Sequence, residues 1–197
     1  MPVLTGSTQY HRYFLFNKPF GTLSQFTDPE GRDTLSNYGP FPKEVYTVGR
    51  LDFDSEGLLL LTNDNRLKHY LIDPKNHHPR TYLAQVERIP TEETIAKLRA
   101  GIIIEKRKTF PAEVTLLKEE PKLPPRSVPI RFRKKIPTAW LEIVLYEGRN
   151  RQVRKMTAAV GYPTLRLVRI KIGCLNLGEL KPGEHRELTK IEIEILK

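Results

Sequence analysis

The chain has 197 residues, enough for one domain with a sizeable core, and its 39% apolar content suits a globular but rather polar protein. One cysteine excludes an internal disulfide, apolar runs of a few residues exclude a membrane-spanning helix, and no secretory h-region opens the chain, so a reducing cytoplasm is the expected setting. Thirty-three Lys and Arg against 23 Asp and Glu give a net charge of +10; thirteen basic residues against two acids between Pro121 and Gly178 carry that excess and favour a polyanionic partner such as nucleic acid.

Residues 1–11 read as a disordered lead-in to a single domain over 12–197. Tyr13–Phe16 is strand-like and stops at Asn17-Lys18-Pro19, where proline ends the ladder. Thr27–Pro42, rich in Gly, Pro, Asp and Ser, reads as an irregular surface loop. Val45–Val48 and Leu58–Thr62 are expected strands, with a turn at Asn63–Asn65, a short helix over Arg66–Ile72, a loop over Asp73–Pro79 and a strand over Thr81–Val86. Thr91 can cap a helix that carries Glu92 and Glu93 in its first turn, buries Ile95 and Leu98, and ends at Gly101.

Ile102–Ile104 and Ala112–Leu117 then read as the two arms of a hairpin. Pro121–Pro137, with five prolines and six basic residues, reads as an extended insertion before the strand Trp140–Leu145. Asn150 can cap a helix over Asn150–Val160, with Val153, Met156, Thr157 and Val160 on one face, Arg151, Arg154 and Lys155 around the rest, and Gly161 and Pro163 at its end. Leu165–Ile172 and Ile191–Leu196 are expected strands, and Cys174, in the apolar run Ile170–Leu177, is expected to be a buried hydrophobe. Many strands with few helices indicate an α+β fold with a largely antiparallel mixed sheet.

The densest polar cluster, Val48-Gly49-Arg50-Leu51-Asp52-Phe53-Asp54-Ser55-Glu56-Gly57, falls between two strand-like runs, where loops commonly carry reactive groups. Asp52, Asp54, Glu56 and Gly57 mimic the opening of a calcium loop, but position twelve is Asn63 and the flanks read as strands. His77-His78 lacks zinc spacing, and there is no phosphate loop or nucleophile elbow. What remains is a carboxylate kept ionised by an arginine, a group able to act as nucleophile or base at an anomeric carbon. A simple loop salt bridge between Arg50 and Asp52 accounts for the same residues.

Several blocks in order resemble the RsuA-type rRNA pseudouridine synthases. They are Phe16-Asn17-Lys18-Pro19-Phe20-Gly21; Val48-Gly49-Arg50-Leu51-Asp52 with Asp54-Ser55-Glu56-Gly57-Leu58-Leu59-Leu60-Leu61-Thr62-Asn63-Asp64; and Thr81-Tyr82 with Gln85-Val86. Further along come Glu147-Gly148-Arg149-Asn150-Arg151-Gln152-Val153-Arg154-Lys155-Met156, then Leu167-Val168-Arg169-Ile170 with Ile172-Gly173, and Pro182-Gly183 with Arg186 and Leu188-Thr189. The resemblance runs from about residue 12 to the end of the sequence. Asn65, where the family usually has glycine, and Arg80, where lysine is common, depart from it. Fewer than 12 residues precede the start of the resemblance, so no S4 domain of the kind many relatives carry is expected, which points to a branch acting on large-subunit rRNA.

The resemblance implies two lobes, about 12–75 and about 76–197, on one continuous sheet with a central catalytic cleft. It implies isomerisation of a uridine in large-subunit ribosomal RNA to pseudouridine, with no cofactor and no metal, on a base flipped out of its stack. Asp52 matches the essential aspartate and Arg154 the basic residue that pairs with it. Tyr82 would stack on the uracil, and Leu167 would wall the base. Arg50 would shape the loop or meet phosphate. Lys18, Arg126, Arg131, Arg133, Lys134, Lys135, Arg149, Arg151 and Lys155 complete the expected RNA contacts. The implied partner is large-subunit rRNA, free or in a pre-ribosomal particle; no membrane contact and a monomeric state are expected. A non-catalytic rRNA-binding or ribosome-assembly protein would need the basic face but not Asp52.

Overall fold

Four consecutive leucines, Leu58–Leu61, are fully buried, because the strand that carries them is covered on both faces. The computed structural model describes residues 10–130 and 136–196. Its strands are β1 (Tyr13–Lys18), β2 (Tyr46–Thr47), β3 (Glu56–Thr62), β4 (Arg80–Glu87), β5 (Ile103–Ile104), β6 (Arg107–Lys108), β7 (Glu113–Leu116), β8 (Thr138–Leu145), β9 (Thr164–Ile172), β10 (Leu175–Asn176) and β11 (His185–Glu187). Its helices are α1 (Asn65–Ile72), α2 (Glu92–Arg99), α3 (Gln152–Ala159) and α4 (Lys190–Leu196).

The main sheet runs β11-β1-β3-β9-β4-β8-β7, with β2 also on β3 and β10 also on β9. It is the largely antiparallel mixed sheet of an α+β fold: β3 and β9 run parallel where Glu56 faces Val168 and Gly57 faces Arg169, and the other described pairings are antiparallel. The short parallel contact is the seam between the two halves. Gly57 sits there at φ +101, and a Cβ would come within 2.3 Å of the Arg169 carbonyl oxygen, so only glycine lets the strands approach.

Alternate leucines of β3 serve different cores. Leu58 and Leu60 pack with Tyr13, Leu15, Leu67 and Leu71, whereas Leu59 and Leu61 pack with Phe14, Phe16 and Leu35 under a cover of Phe26, Tyr38 and Phe41. Across the seam, α2 and α3 cover β4, β7 and β8 with Ile95, Leu98, Val153 and Met156.

The chain does not divide cleanly at residue 75. Ile172, Leu175, Leu188 and Leu196 join the core under β1 and β3, and β11 pairs with β1, so the last part of the chain returns to the first half. Four other expectations are corrected. Ile191–Leu196 is helical, because Thr189 and Glu192 exchange hydrogen bonds as a capping box (Glu192 N to Thr189 Oγ1, 3.2 Å; Thr189 N to Glu192 Oε2, 2.8 Å). Ile103–Ile104 pairs with Arg107–Lys108 across Glu105 and Lys106, both in left-handed backbone, which leaves β7 to pair with β8. Helix α3 starts one turn-position later than expected, with left-handed Arg151 and not Asn150 ahead of it. Cys174 is exposed. Residues 1–9 of the expected lead-in lie outside the described residues, as do 131–135 of the insertion.

Candidate active site

The loop that carries Asp52 is fastened before it meets the other half. At the end of β1 the Lys18 ammonium is fully buried and donates to the carbonyls of Pro19 (2.9 Å) and Thr22 (2.7 Å). Burial pulls its pKa down to about 8, opposed by the charges of Glu56, Asp54 and Asp52. Lys18 is therefore no RNA contact; it orders the turn that follows it. That turn grips the acid loop: Gly21 N donates to the Phe53 carbonyl at 2.9 Å. Ser24 Oγ donates to the Leu51 carbonyl (2.8 Å) and accepts from Leu51 N (3.1 Å). Ser55 N closes the loop on the Asp52 carbonyl at 3.0 Å.

The opposite wall comes from the segment before α3. Buried Glu147 accepts from Phe110 N (2.9 Å) and from Gln152 Nε2 (2.7 Å), and Gln152 Oε1 accepts from Arg149 N (3.0 Å). This brace sets the left-handed turn at Arg151 (φ 52). Tyr82 enters from β4 beside a register shift between Thr81 and Tyr82, and Leu167 enters from β9. Together these elements enclose a cavity of about 450 Å³ lined by Asp52, Tyr82 and Leu167, with Arg50, Arg149, Arg151 and Glu147 at its sides. A neighbouring cavity of about 330 Å³ is lined by Asp54, Arg126 and Arg154 with Phe20.

The pairing of acids and arginines differs from expectation. Arg154 turns to Asp54: its Nη2 donates to the Asp54 carbonyl at 2.7 Å, its Nη1 to the Thr164 carbonyl at 3.2 Å, and its Nε lies 3.4 Å from Asp54 Oδ2. Burial lowers the Arg154 pKa, and Asp54 works against that shift. The cation beside Asp52 is Arg151, whose Nη1 lies 3.5 Å from Asp52 Oδ2. Arg151 also forks onto Asp54, with Nη1 to Oδ1 and Nη2 to Oδ2 both at 2.8 Å. The fork holds the Asp54 carboxyl below the usual carboxylate range and raises the Arg151 pKa. Deeper in the seam Arg166 forks onto Glu56 at 2.9 and 2.8 Å. Arginines thus pair with Asp54 and Glu56, two of the acids that mimic a calcium loop in the sequence.

The expected RNA contacts fall into three groups. Arg50 is exposed on the cavity rim, with no ion pair among the described residues. Arg126 lies over the Phe20 ring, 4.2 Å from its centroid, and Arg151 is half-exposed in the fork described above. Arg149 is engaged by the carbonyls of Ile104 (2.8 Å) and Arg107 (3.3 Å), and Lys155 by Glu105 and Asn150 Oδ1. Arg131, Arg133, Lys134 and Lys135 lie outside the described residues. Sequence reading missed Ser24 as the clamp on Leu51 and Arg151 as the neighbour of Asp52; the left-handed turn that aims Arg151 carries no glycine or asparagine signal at that position.

Residues 12–159 match the family model for RNA pseudouridylate synthase. Ribosomal large subunit pseudouridine synthase E of Vibrio vulnificus (strain CMCP6) is 52% identical over 178 residues, 90% of this chain and 75% of that protein. The protein of the same name from Xanthomonas campestris pv. campestris is 52% identical over 175 residues, 87% of this chain and 92% of its own. A crystal structure of a pseudouridylate synthase superposes with a TM-score of 0.80 at 33% identity, covering 95% of this chain and 74% of that one. Among the described residues no helix is long and apolar enough to cross a membrane.

Proposed function

The chain belongs to the RNA pseudouridylate synthase family, and from that premise we propose that it isomerises a specific uridine of large-subunit ribosomal RNA at the cavity around Asp52. The observation that carries this reading is the convergence of Asp52, Tyr82 and Leu167 on one cavity, from three separate elements and beside an arginine.

The uridine leaves its stack at a cost of a few kcal/mol, least in loops and bulges, and enters the cavity between Tyr82 and Leu167. Asp52 acts at the ribose, as nucleophile on C1′ or as base on the sugar, while the N1–C1′ bond breaks. The uracil turns and C5 bonds to C1′ as the Asp52–C1′ bond breaks or, on the base route, as Asp52 returns the sugar proton; the C5 proton leaves by way of Tyr82, and N1 ends protonated. Arg151 stabilises the Asp52 anion through space and Arg50 meets backbone phosphate at the rim. Arg126 extends the basic surface along which the RNA lies. No cofactor or metal has a role in this scheme. The reading also takes the protein as a cytoplasmic monomer; sedimentation of the purified protein checks the oligomeric state.

Chemical mapping of pseudouridine in large-subunit rRNA incubated with wild type and with Asp52→Ala tests the reading. A new pseudouridine is expected with wild type and none with the variant, a loss of about 1,000-fold or more, with rRNA affinity unchanged. Binding without modification by wild type, on rRNA and on pre-ribosomal particles alike, would instead leave a non-catalytic rRNA-binding protein.

A further inference from the structure

Asp54 has no task in the reaction proposed for Asp52, yet it holds two of the arginines that the second half of the chain brings to the cleft, Arg151 and Arg154. One nitrogen faces two carboxylates: Arg151 Nη1 lies 2.8 Å from Asp54 Oδ1 and 3.5 Å from Asp52 Oδ2. Nη2 completes the fork on Asp54 Oδ2 at 2.8 Å. Asp54 therefore receives two hydrogen bonds from Arg151, and Asp52 receives an ion-pair contact longer than a good one. The two acids also open onto different spaces, Asp52 onto the cavity shared with Tyr82 and Leu167, Asp54 onto its neighbour with Arg126 and Arg154.

The arrangement is over-determined. Arg151 holds a left-handed backbone that a non-glycine residue keeps only where its surroundings enforce it. Arg154 fixes the backbone carbonyl of Asp54 from the same side. A planar guanidinium prefers to grip one carboxylate with two parallel hydrogen bonds, and a carboxylate so gripped has its lone pairs occupied. Such a group is a poorer nucleophile and a poorer base, because a hydrogen bond must break before it reacts.

We propose that Asp54 is a positioning residue for the isomerisation: it draws the Arg151 fork onto itself, so that the Asp52 carboxylate keeps a nearby cation but stays open toward the ribose. The inference rests on the reading of Asp52 as the reacting carboxylate. When Asp54 loses its charge, Arg151 has one anion left within reach, and its fork closes on Asp52.

Wild type, Asp54→Asn, Arg151→Gln and the double variant are compared under single-turnover conditions. The substrate is large-subunit rRNA tritiated at uridine C5, where loss of tritium reports the new C5–C1′ bond, and rRNA affinity is measured by filter binding in the same buffer. Asp54→Asn is expected to lower the rate at saturating rRNA about 10- to 100-fold, the factor for breaking one charge-assisted hydrogen bond before reaction. Its rRNA affinity is expected to be unchanged or tighter, because a negative charge has left the cleft. Adding Arg151→Gln is expected to make the double variant faster than Asp54→Asn alone, a non-additivity that marks the two side chains as coupled.

A saturating rate for Asp54→Asn within about threefold of wild type would overturn the proposal. So would a double variant no faster than the single one, the result that a folding defect or a lost RNA contact gives. Wild type that releases no tritium would overturn the reading of Asp52 as well, and is seen before any variant is compared.

Discussion

The two ends of the seam between the halves make opposite use of the same chemistry. At the closed end Glu56 and Arg166 are buried, and both carboxylate oxygens are gripped by the guanidinium. At the open end Asp52 and Arg151 are partly exposed, 3.5 Å apart, and no fork forms. Asp54 lies between them in sequence and in character, forked yet solvent-accessible. A buried, fully matched pair holds strands together, whereas a loose pair at the mouth leaves carboxylate oxygens accessible, as the proposed chemistry at Asp52 requires. Burial and the number of donors, more than residue type, separate scaffold from chemistry here.

Breaking the closed end should have the largest effect on the fold. Arg166→Met strands the Glu56 carboxylate in the seam and should cost about 3–5 kcal/mol in urea unfolding. The double change Glu56→Met with Arg166→Met should recover much of that, since an apolar pair of similar size is often no worse than a buried ion pair. A single variant as stable as wild type would mean that the seam does not rely on this pair.

Lys18 sharpens the contrast from beneath. Its pKa is about 8 when folded and 10.5 when free, so both states carry the proton below pH 8 and both lose it above 10.5. Between those limits the unfolded chain holds more proton, and stability rises with pH, by up to about 3 kcal/mol. That gain is lost as pH falls through 8. Unfolding of wild type and Lys18→Met across pH 7–10.5 checks it: wild type should gain on the variant over that window, and parallel curves would contradict it.

The smallest expected effect lies on the exposed cations. Arg50→Ala should lower rRNA affinity by about 1 kcal/mol and reduce the salt slope of binding by about one. Lys155→Ala should change both less, because Glu105 and Asn150 already engage its ammonium. Equal slopes for the two variants would erase the distinction between a free cation and an engaged one.

What the sequence discloses follows the same division. Leu58–Leu61, Thr81–Val86 and Trp140–Leu145 read correctly as strands because their apolar character answers to the core they enter. Ile191–Leu196 alternates as a strand would, yet the local Thr189–Glu192 exchange makes it helical; that capping signal was present in the sequence. The Glu105-Lys106 turn was not legible, since neither residue advertises a left-handed backbone. Asp52, Tyr82 and Leu167 could be picked out as blocks of a resemblance, and they do share a cavity. Arg151 could not be matched to Asp54, because 97 residues separate them and only the folded seam brings them together. Lys18 misleads for the plainest reason: lysine is a surface residue by default.

The return of β11 and α4 to the first half has a consequence for synthesis. Until residues 185–196 leave the ribosome, β1 has an unpaired edge and the core under it lacks Leu188 and Leu196. N-terminal segments of most chains can settle early, but here the half that carries Asp52 is completed by residues 185–196, far along the chain from β1 and β3. The loop that carries Asp52 would then gain its full backing core only after β11 and α4 have been made.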